Sequence, residues 1–537
     1  MPKRKQQQLD LTELKRPTVK RAKEIDADLP YDKLQDLLDE QDVKSQAHTV
    51  AHWFRSKDLR TQDNIALHNA SAFAKDQSTG LVTFYINCPA EFEWHGTSPA
   101  RTDFIFENLK IMQKELKELN IPLVVLDAPK RKDIVPTALK FIEEHDVSHL
   151  YANYEYEVDE IRRDTKLLEE LESKACVSLH HDQTIVEPGT MTSGSGGPMK
   201  VFTPYHKMWL AVVKDDPSLL DTVPSPSKVD SKHSKHFSSL FDSIIPSPPS
   251  SKSFATKDEE SRIRKLWPAG HKAAVDRLNH FIKKNLEDYG ETRSDPSKDT
   301  TSRLSAYFSA GVISMRETLT AIKKYNEGSA DFSPSGTSTG ATAWVRELVF
   351  RELYRQTTLT TPHTAMNLPQ NLKFDFVKWE DDSEGWRKWC EGKTGMPLVD
   401  AGMRQLNHEA WMHNRARMNV SSYLYCNLLL DYRRGERYFA EHLIDWDLSN
   451  NTQGWEPSYT VFNPVSQAER NDPSGEYIRK WVPELKNLKG KDVFDPFHRL
   501  GKKEFEKLGY PAPHVDWAET KQRCLERYKR DMGGVTL

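Results

Sequence analysis

The chain has 537 residues, of which 37% are hydrophobic and 29% charged, with a mean hydropathy of -0.71 and a net charge of -3. That length is enough for roughly three or four domains with large cores, which excludes a peptide hormone or a single small binding module. No apolar run approaches the roughly 18 to 20 residues of a membrane helix, so we expect no membrane span. Five scattered cysteines, with no CxxC pair and no secretory leader, exclude a disulfide framework and a cysteine metal site and favour a reducing compartment.

Residues 1–23 carry eight basic side chains against two acidic ones, in the clusters KRK (3–5) and KRPTVKRAK (15–23). Two such clusters are typical of a bipartite nuclear import signal. They predict a nuclear location and a nuclear import receptor as partner, and they leave a mitochondrial copy open. The alternative is a solvated tail without function. In either case we predict that residues 1–45 form a disordered basic tail.

Short apolar or β-branched runs alternate with longer amphipathic stretches over residues 46–190. Runs such as LVTFYI (81–86) and PLVVLD (122–127) indicate strands, and FIFENLKIMQKELKELN (104–120) has the apolar spacing of a helix. The alternation predicts an α/β domain with a parallel sheet. Neither GxGxxG nor GxxxxGK[ST] follows the first strand, so the usual dinucleotide and nucleoside-triphosphate loops are absent.

The composition changes twice in the second half of the chain. Residues 214–257 are rich in Ser, Pro and Lys and lack the apolar density of a core, so we predict that residues 191–260 are a partly disordered interdomain linker. From residue 261 onward helical patterns dominate and the strand signal disappears. We therefore predict that residues 261–537 form an all-α domain.

Eight of the 13 tryptophans fall within residues 344–481. Aliphatic residues fill a core without an N–H that needs a partner, so this concentration favours stacking or electron transfer. One predicted helix places Trp411, Asn414, Arg415 and Met418 on a single face. An indole, an amide, a cation and a thioether together favour a ligand-facing surface over a packing or solvated face.

Six ordered segments, in these positions and spacings, are more specific than any one short motif. They are WFRSKDLRTQDNIAL (53–67), TSRLSAYFSAGVIS (301–314), WVRELVFRELYRQ (344–356), EGKTGMPLVDAGMRQL (391–406), WMHNRARM (411–418) and FNPVSQAERNDPSGEYIRKWVPEL (462–485). Through them the chain resembles the photolyase/cryptochrome family over nearly everything except the amino-terminal tail, the linker and the last few tens of residues. It is most similar to the class I cyclobutane pyrimidine dimer photolyases of fungi.

The resemblance implies a Rossmann-like α/β amino-terminal antenna domain and an all-α domain that binds FAD. Backbone N–H groups and hydroxyls at the helix start in TSRLS suit an anion, and the family places the flavin diphosphate there. The family glycine before this segment is Thr300 here. The implied FAD-binding residues are Tyr289, Thr301, Ser302, Arg303, Leu304, Ser305, Trp344, Arg351, Trp411, Arg417, Asp445, Trp446, Asp447 and Asn451.

Within that set, the resemblance places Asp445 and Asp447 against the flavin, pairs Arg417 with Asp445 and aligns Asn451 with the residue that faces flavin N5. An amide hydrogen-bonds N5–H without adding a charge, which suits a reduced, anionic flavin. Plant-type cryptochromes carry Asp at this position, so Asn451 favours repair over signalling.

The implied reaction is electron transfer from excited reduced FAD to a pyrimidine dimer flipped out of DNA, which splits the dimer. Glu347 matches the acidic residue that hydrogen-bonds the dimer, and to donate that bond it must be protonated, which burial favours. The other implied dimer contacts are Asn414 and Met418, and the implied DNA contacts are Arg293, Arg415 and Gln467. Relatives that repair (6-4) photoproducts carry two His at the dimer positions, and their absence here argues against that substrate.

Two departures from the family pattern concern the dimer pocket. Phe350 and Pro457 stand where bacterial relatives carry Trp, so one aromatic wall is smaller and another is missing. GWEPSYTVFNP (454–464) is also about ten residues shorter than the family segment. A reshaped pocket and a feature of the branch both stay open.

The family reduces its flavin through three tryptophans in relay, which match Trp455 nearest the flavin, Tyr432 in the middle and Trp379 at the outer end. Tyrosine is harder to oxidise without loss of its proton, so we expect a slower relay or a detour through an aromatic such as Trp446. For Trp386 and Trp389 core packing is the preferred interpretation.

The resemblance also implies an antenna chromophore, either methenyltetrahydrofolate or a deazaflavin. Asp159 and Glu160 align with folate contacts. The Cys and Lys that complete the site in bacterial relatives are Ala365 and Met366, so the identity of the antenna is open.

We therefore predict a nuclear, monomeric, light-driven DNA repair enzyme whose partner is damaged DNA, with no metal and no membrane. One alternative is a cryptochrome photoreceptor with a signalling partner, and a dual role stays open. A second alternative, an electron-transfer flavoprotein without a DNA role, is disfavoured by the basic clusters and the arginines at DNA positions.

Overall fold

A computed structural model describes residues 15–42, 46–172 and 174–537. The basic cluster KRK (3–5) lies outside these residues. Among the described residues no helix is long and apolar enough to cross a membrane. Within the same ranges, no group of three or more His, Cys, Asp or Glu side chains is arranged to hold a metal ion.

The first half of the chain forms a five-stranded parallel sheet flanked by helices, as predicted. The strands, in the spatial order β3-β2-β1-β4-β5, are β1 Thr49–Phe54, β2 Gly80–Asn87, β3 Leu123–Asp127, β4 Val147–Asn153 and β5 Cys176–His180. The helices from the amino terminus to β5 are α1 Val19–Ala27, α2 Pro30–Asp39, α3 Ile65–Asp76, α4 Pro89–Trp94, α5 Pro99–Glu118, α6 Ile134–Glu144 and α7 Val158–Leu171. β1 and β2 are buried along their whole length, as expected for a parallel sheet covered on both faces.

The rest of the chain is helical. The helices are α8 Phe202–Asp215, α9 Ser231–Ser234, α10 Lys257–Leu266, α11 His271–Lys284, α12 Tyr289–Thr292, α13 Ser305–Ser309, α14 Met315–Tyr325, α15 Thr339–Thr360, α16 Ser383–Glu391, α17 Pro397–Glu409, α18 Asn414–Ser422, α19 Tyr432–His442, α20 Leu448–Gly454, α21 Pro464–Asn471, α22 Glu476–Trp481, α23 Pro496–Arg499, α24 Lys502–Glu506 and α25 Trp517–Met532. A π-helical turn, Tyr423–Asn427, follows α18 directly. The prediction of an α/β part followed by an all-α part is confirmed.

Part of the predicted disordered tail is ordered. α1 and α2 lie inside residues 1–45, and Ala22, Ile25 and Leu34 are buried. Asp26 holds α1 to the helical part, since its Oδ2 lies 2.6 Å from Nδ1 of the buried His363. The prediction of disorder is wrong for residues 15–42. The segment has only a few apolar residues at helical spacing among many charged ones, and these residues are buried against other parts of the folded chain.

The predicted linker is also more ordered than its composition indicates. α8 buries Tyr205, Trp209 and Val213, which are four residues apart and so share one face. The Trp209 indole donates a 2.7 Å hydrogen bond to Glu352 in α15. The prediction of partial disorder is therefore wrong for this segment, since α8 packs on α15 as part of the core.

A buried ion network joins the α/β part to the helical part, and we call it the junction network. It consists of Arg60, Asp63, Asp182 and Arg316, each with at most 6% of its side chain exposed. Arg316 bonds Asp182 at 2.6 Å and Asp63 at 3.1 Å, and Arg60 pairs with Asp182. The backbones approach closely here, because a Cβ on Gly311 (φ 65°) would lie 1.8 Å from the Lys57 carbonyl oxygen.

Candidate flavin and DNA site

The long helix α15 is buried around most of its surface but leaves one stripe partly exposed. The stripe holds Arg346, Glu347, Phe350, Arg351 and Tyr354, at spacings that fall on one face of the helix. A central helix with a polar and aromatic opening in an otherwise buried surface is built to present side chains to a ligand.

Glu347 lies at the centre of a small charged cluster. It forms an ion pair with Arg293, which follows α12. Arg415 of α18 lies beside this pair: its Nη2 donates to Ser294 Oγ at 3.0 Å, and its Nη1 lies 3.6 Å from the sulfur of Met418. Burial, and next the neighbouring Arg293, lower the pKa of Arg415. The structure thus brings together four of the residues expected at the dimer and DNA.

The structure corrects one expectation about Glu347, namely that it is buried. Its side chain is 33% exposed, and its carboxylate pairs with the Arg293 guanidinium.

The other two residues expected at the DNA lie on neighbouring helices that contact each other. Asn414 is the first residue of α18 and is exposed. Gln467 lies on α21, where its side-chain oxygen accepts a 3.1 Å hydrogen bond from Asn471. Asn414 and Met418, which is 37% exposed, are four residues apart and share a face of α18, and Gln467 is partly exposed.

Asp445 has an unused acceptor. Its Oδ2 accepts a 2.7 Å bond from Arg417, whose Nε is held by the Met412 carbonyl at 2.8 Å. Its Oδ1 is buried and has no hydrogen-bond partner among the described residues. A buried, unpaired carboxylate oxygen is costly, so a ligand N–H is the natural partner for it.

Asp447, two residues further on, has both carboxylate oxygens bonded to a side chain of the protein itself. Both of its oxygens are taken by Arg355, which is completely buried, and this pairing holds the pKa of Asp447 far below its usual value despite the opposing effect of burial. Asp447 also caps α20 by accepting from the Asn450 N–H at 2.9 Å. Through these contacts Asp447 positions α20. Arg355 was not predicted, although it lies four residues after Arg351 on α15.

Asn451 and Trp455 lie one turn apart on α20. The Asn451 amide nitrogen donates to the Glu436 carbonyl at 3.0 Å, which orients the amide so that its oxygen is the atom left to accept from a ligand. Trp455 is 2% exposed and packs on Phe439. Gly435 makes room for it, since a Cβ there would lie 2.2 Å from the indole.

The segment Thr301–Ser305, which is expected to receive the diphosphate, leads into α13. Arg303 has a φ of 50°, a conformation that L-residues rarely adopt and that clusters at functional sites. Trp411 donates to Ser305 Oγ at 3.2 Å and lies under the Arg303 guanidinium, 4.4 Å away. The hydroxyl of Thr300 is buried without a hydrogen-bond partner in the described chain. Within the segment, the Leu304 N–H donates to Ser302 at 3.4 Å.

The remaining residues expected at the flavin line the same region. Tyr289 and Trp344 are buried against Phe281, with ring centroids 5.5 and 4.9 Å from it. Arg351 donates to the Gln183 carbonyl at 2.6 Å, and burial lowers its pKa to about 10. The α/β part thus contributes backbone to this site through Gln183.

The aromatic wall at Phe350, which was predicted to be small, is enlarged by a second ring from α8. The ring of Phe350 is stacked on Phe202 of α8, with centroids 3.4 Å apart and planes 5° apart. Arg346 covers both rings, at 5.4 and 5.8 Å. Sequence reasoning missed Phe202 because it lies in the segment taken as a linker.

The two residues expected at the antenna differ: Asp159 is bonded within the chain, whereas Glu160 has a buried oxygen, Oε2, with no hydrogen-bond partner among the described residues. Asp159 accepts a 2.9 Å bond from the Trp94 indole and pairs with Arg131 at 3.1 Å. Burial raises the pKa of Glu160 to about 8, with Glu157 adding to the shift. The Trp446 indole N–H is buried with no hydrogen-bond partner among the described residues.

Comparison with known proteins identifies the family. Residues 50–227 match the family model described as DNA photolyase, and residues 344–530 match the one described as the FAD binding domain of DNA photolyase. The deoxyribodipyrimidine photo-lyase of Neurospora crassa is 37% identical over 512 residues, covering 90% of this chain and 82% of the relative. That of Salmonella typhimurium is 34% identical over 494 residues, covering 90% and 99%.

Among solved structures, a bacterial class III photolyase from Agrobacterium tumefaciens superposes with a TM-score of 0.77 at 28% identity, covering 91% of this chain and 98% of the other. The chain belongs to the DNA photolyase family. The resemblance carried by the six segments, the fold and the choice of FAD as cofactor are thereby confirmed. The unpaired Asp445 oxygen and Thr300 hydroxyl fit a ligand with ring N–H and diphosphate oxygens.

Proposed function

We propose that this chain is a deoxyribodipyrimidine photo-lyase that repairs cyclobutane pyrimidine dimers in DNA. The observation that carries the proposal is the opening on α15, where Glu347, Arg293 and Arg415 meet at an exposed edge. Relatives of 31–37% identity over most of the chain carry that name. Reduced FAD, when bound, supplies the light-excited electron that opens the cyclobutane ring.

The chain's own residues hold and orient the cofactor. Asp445, fixed by Arg417, offers a carboxylate oxygen to a ring N–H of the flavin. Asn451 offers an amide oxygen and adds no charge, which leaves an anionic reduced flavin undisturbed. Arg303 and the hydroxyls of the 301–305 segment receive the diphosphate.

The opening on α15 binds the damaged strand. Arg415 and Gln467 supply contacts to phosphates on either side of the flipped dimer, which set affinity and its salt dependence rather than sequence preference. Arg293, held in place by Glu347, presents guanidinium N–H groups that stabilise negative charge developing on a pyrimidine carbonyl. The stacked pair Phe350 and Phe202 forms the aromatic wall against the dimer.

The experiment that tests the proposal uses protein reduced chemically with dithionite, so that repair does not depend on how the flavin becomes reduced. Thymine-dimer DNA is incubated with and without blue light, and restored thymines are counted. We expect light-dependent repair that falls about tenfold or more in Glu347→Gln, since Arg293 loses the carboxylate that orients it.

The matched control is Glu170→Gln, another glutamate in a salt bridge, on the outer face of α7, which we expect to repair like the wild type. Wild-type protein that binds FAD but repairs nothing in light contradicts the proposal and favours a photoreceptor.

A nuclear location rests on the two basic clusters and stays a proposal. Arg16 and Arg21 of the second cluster form ion pairs, with Asp375 at 2.6 Å and Glu24 at 3.1 Å. A fluorescent fusion with residues 1–23 deleted, compared with the full chain, tests the signal: the truncated form should lose nuclear enrichment.

The antenna, the monomeric state and a signalling partner also stay predictions. Asp159 contacts Trp94 and Arg131 through Oδ2, which leaves Oδ1 to accept from an antenna chromophore. Fluorescence of chromophore released from the purified protein distinguishes a folate from a deazaflavin.

A further inference from the structure

Three indoles form a continuous row from the flavin site toward the surface. The ring centroids of Trp455 and Trp389 lie 6.2 Å apart, and those of Trp389 and Trp386 lie 5.4 Å apart with their planes inclined by 19°. Trp455 and Trp389 are 2% and 0% exposed, whereas Trp386 is partly exposed. We call these residues the Trp386 row.

The relay expected from the resemblance passes instead through Tyr432, which is poorly suited to it. Its hydroxyl is buried without a hydrogen-bond partner among the described residues, and burial raises its pKa well above the usual value. An oxidised tyrosine must release its proton, and no acceptor is in place to take it. The Arg433 guanidinium, 4.7 Å above the ring, further opposes positive charge on Tyr432.

Trp379, the outer residue of that relay, has a related defect. Its ring centroid lies 6.2 Å from that of Tyr432, but its indole N–H is buried and, among the described residues, lacks a hydrogen-bond partner. An oxidised indole that keeps its proton takes an electron back from the reduced flavin more readily than one that has lost its proton. Trp379 is therefore a weak terminus.

The Trp386 row has both properties that an electron relay needs. Its middle residue carries charge without losing a proton, and its outer residue can release a proton to solvent. The Trp389 indole N–H donates to the Val420 carbonyl at 3.0 Å, a neutral acceptor that leaves the proton on the ring, so Trp389 passes charge without proton transfer. Trp386 reaches solvent, where its N–H proton can leave. The Arg434 guanidinium, 4.5 Å above Trp386, opposes positive charge on that ring just as Arg433 does on Tyr432. The difference is that Trp386 is partly exposed, so its oxidised ring can relieve the repulsion by giving its Nε1 proton to solvent.

We propose that the Trp386 row, and not the row through Tyr432 and Trp379, carries electrons to FAD during light-driven reduction of the cofactor; this rests on the proposed function. One electron leaves Trp386 and passes through Trp389 and Trp455 to light-excited oxidised FAD. Trp386 is oxidised by one electron and gives its Nε1 proton to water. A thiol in solution returns one electron and one proton to it. Trp386 and Trp389, first attributed to core packing, become relay residues.

The test is anaerobic photoreduction of FAD-loaded protein in blue light with dithiothreitol as the thiol, normalised to bound FAD. Transient absorption follows the deprotonated tryptophan radical in parallel. We expect photoreduction to fall about tenfold or more in Trp389→Phe and Trp386→Phe, and the long-lived radical signal to disappear in Trp386→Phe. Tyr432→Phe and Trp379→Phe should stay within about twofold of the wild type.

The proposal is overturned if photoreduction falls in Tyr432→Phe and Trp379→Phe but is unchanged in Trp386→Phe and Trp389→Phe. Trp389 is fully buried, so loss of photoreduction in Trp389→Phe alone does not separate electron transfer from packing. Trp386 is partly exposed and its replacement leaves the core in place. Unchanged photoreduction and an unchanged radical signal in Trp386→Phe therefore overturn the proposal, however Trp389→Phe behaves.

The two proposals fail separately. Wild-type protein reduced with dithionite tests dimer repair without any relay. If the dithionite-reduced wild type repairs nothing but photoreduction is lost in Trp386→Phe, the proposed lyase activity is rejected and the proposed relay is kept. If the dithionite-reduced wild type repairs dimers and photoreduction is unchanged in Trp386→Phe, the relay is rejected and the lyase activity is kept.

Discussion

The junction network and the Arg417–Asp445 pair both join arginine to a buried aspartate, but only the junction network is closed. In the junction network Asp182 is bonded by Arg60 and Arg316, and Arg316 in turn bonds Asp63. At the flavin site Asp445 keeps one oxygen buried and unpaired. A closed network stabilises the fold, whereas an open one holds an uncompensated group for a ligand to satisfy.

The largest expected effect comes from opening the closed network. Asp182→Ala leaves two buried guanidiniums without their shared carboxylate, so the free energy of unfolding should fall by about 3–5 kcal/mol. Urea denaturation of the FAD-loaded protein measures it. The control is Asp276→Ala, in the exposed pair with Lys272, which should cost less than about 1 kcal/mol. Equal losses in the two variants would erase the distinction between closed and exposed pairs.

The substitution Asp445→Asn tests the open pair at the flavin site. The neutral amide weakens the bond to Arg417 and removes the charged acceptor, so FAD should bind about 10- to 100-fold more weakly, which corresponds to the 1.5–3 kcal/mol of a charged hydrogen bond. Titration of the cofactor-free protein with FAD gives the dissociation constant. Unchanged affinity combined with a large loss of stability would mean that Asp445 serves the fold and not the cofactor.

Glu352 is a buried carboxyl that has N–H donors but, among the described residues, no ion-pair partner. Burial raises the pKa of Glu352 from 4.5 to about 7, while N–H donors such as Ile185 and the Trp209 indole oppose the shift. The folded state holds this proton more tightly than the unfolded state, so stability falls as pH rises from about 4.5 to about 7.

Glu352→Gln cannot titrate, so its stability should fall less than that of the wild type between about pH 5 and about pH 8, by roughly 1–3 kcal/mol. Urea midpoints at the two pH values give the difference. Parallel pH curves for wild type and variant would show that Glu352 is ionised throughout.

The smallest effect is expected at the amino-terminal segment. Arg16 pairs with Asp375 at 2.6 Å but is 41% exposed, so Arg16→Ala should change the free energy of unfolding by less than about 1 kcal/mol. Asp26→Ala removes the partner of buried His363 and should cost more. If the two variants reverse this order, α1 is held by its exposed charges rather than by its buried contact.

Particular residues show where sequence reasoning worked. The alternating strands and helices and the six segments led to the fold, the family and FAD, because their periodicity and spacing are local properties of the chain. The pairing of Arg417 with Asp445 was also anticipated, and its atoms lie 2.7 Å apart. The roles of the flavin and DNA residues stay predictions.

Other residues show where it did not. Composition predicted disorder over 1–45 and within 191–260, yet α1, α2 and α8 pack on the body of the protein. Phe202 escaped notice for that reason. Glu347 was expected to be buried, but it is partly exposed and pairs with Arg293, which is 54 positions away in the chain.

The sequence by itself determined the elements, their order, the family and the cofactor, because hydrophobic periodicity and motif spacing are written along the chain. Only the tertiary structure decided which groups are satisfied and which are left open. Asp445 and Asp447 are two residues apart in one motif, yet Arg355 pairs with Asp447, whereas one oxygen of Asp445 has no hydrogen-bond partner among the described residues. Likewise, the distance between indole rings and the fate of each N–H, which favour Trp389 over Tyr432, depend on contacts between distant helices.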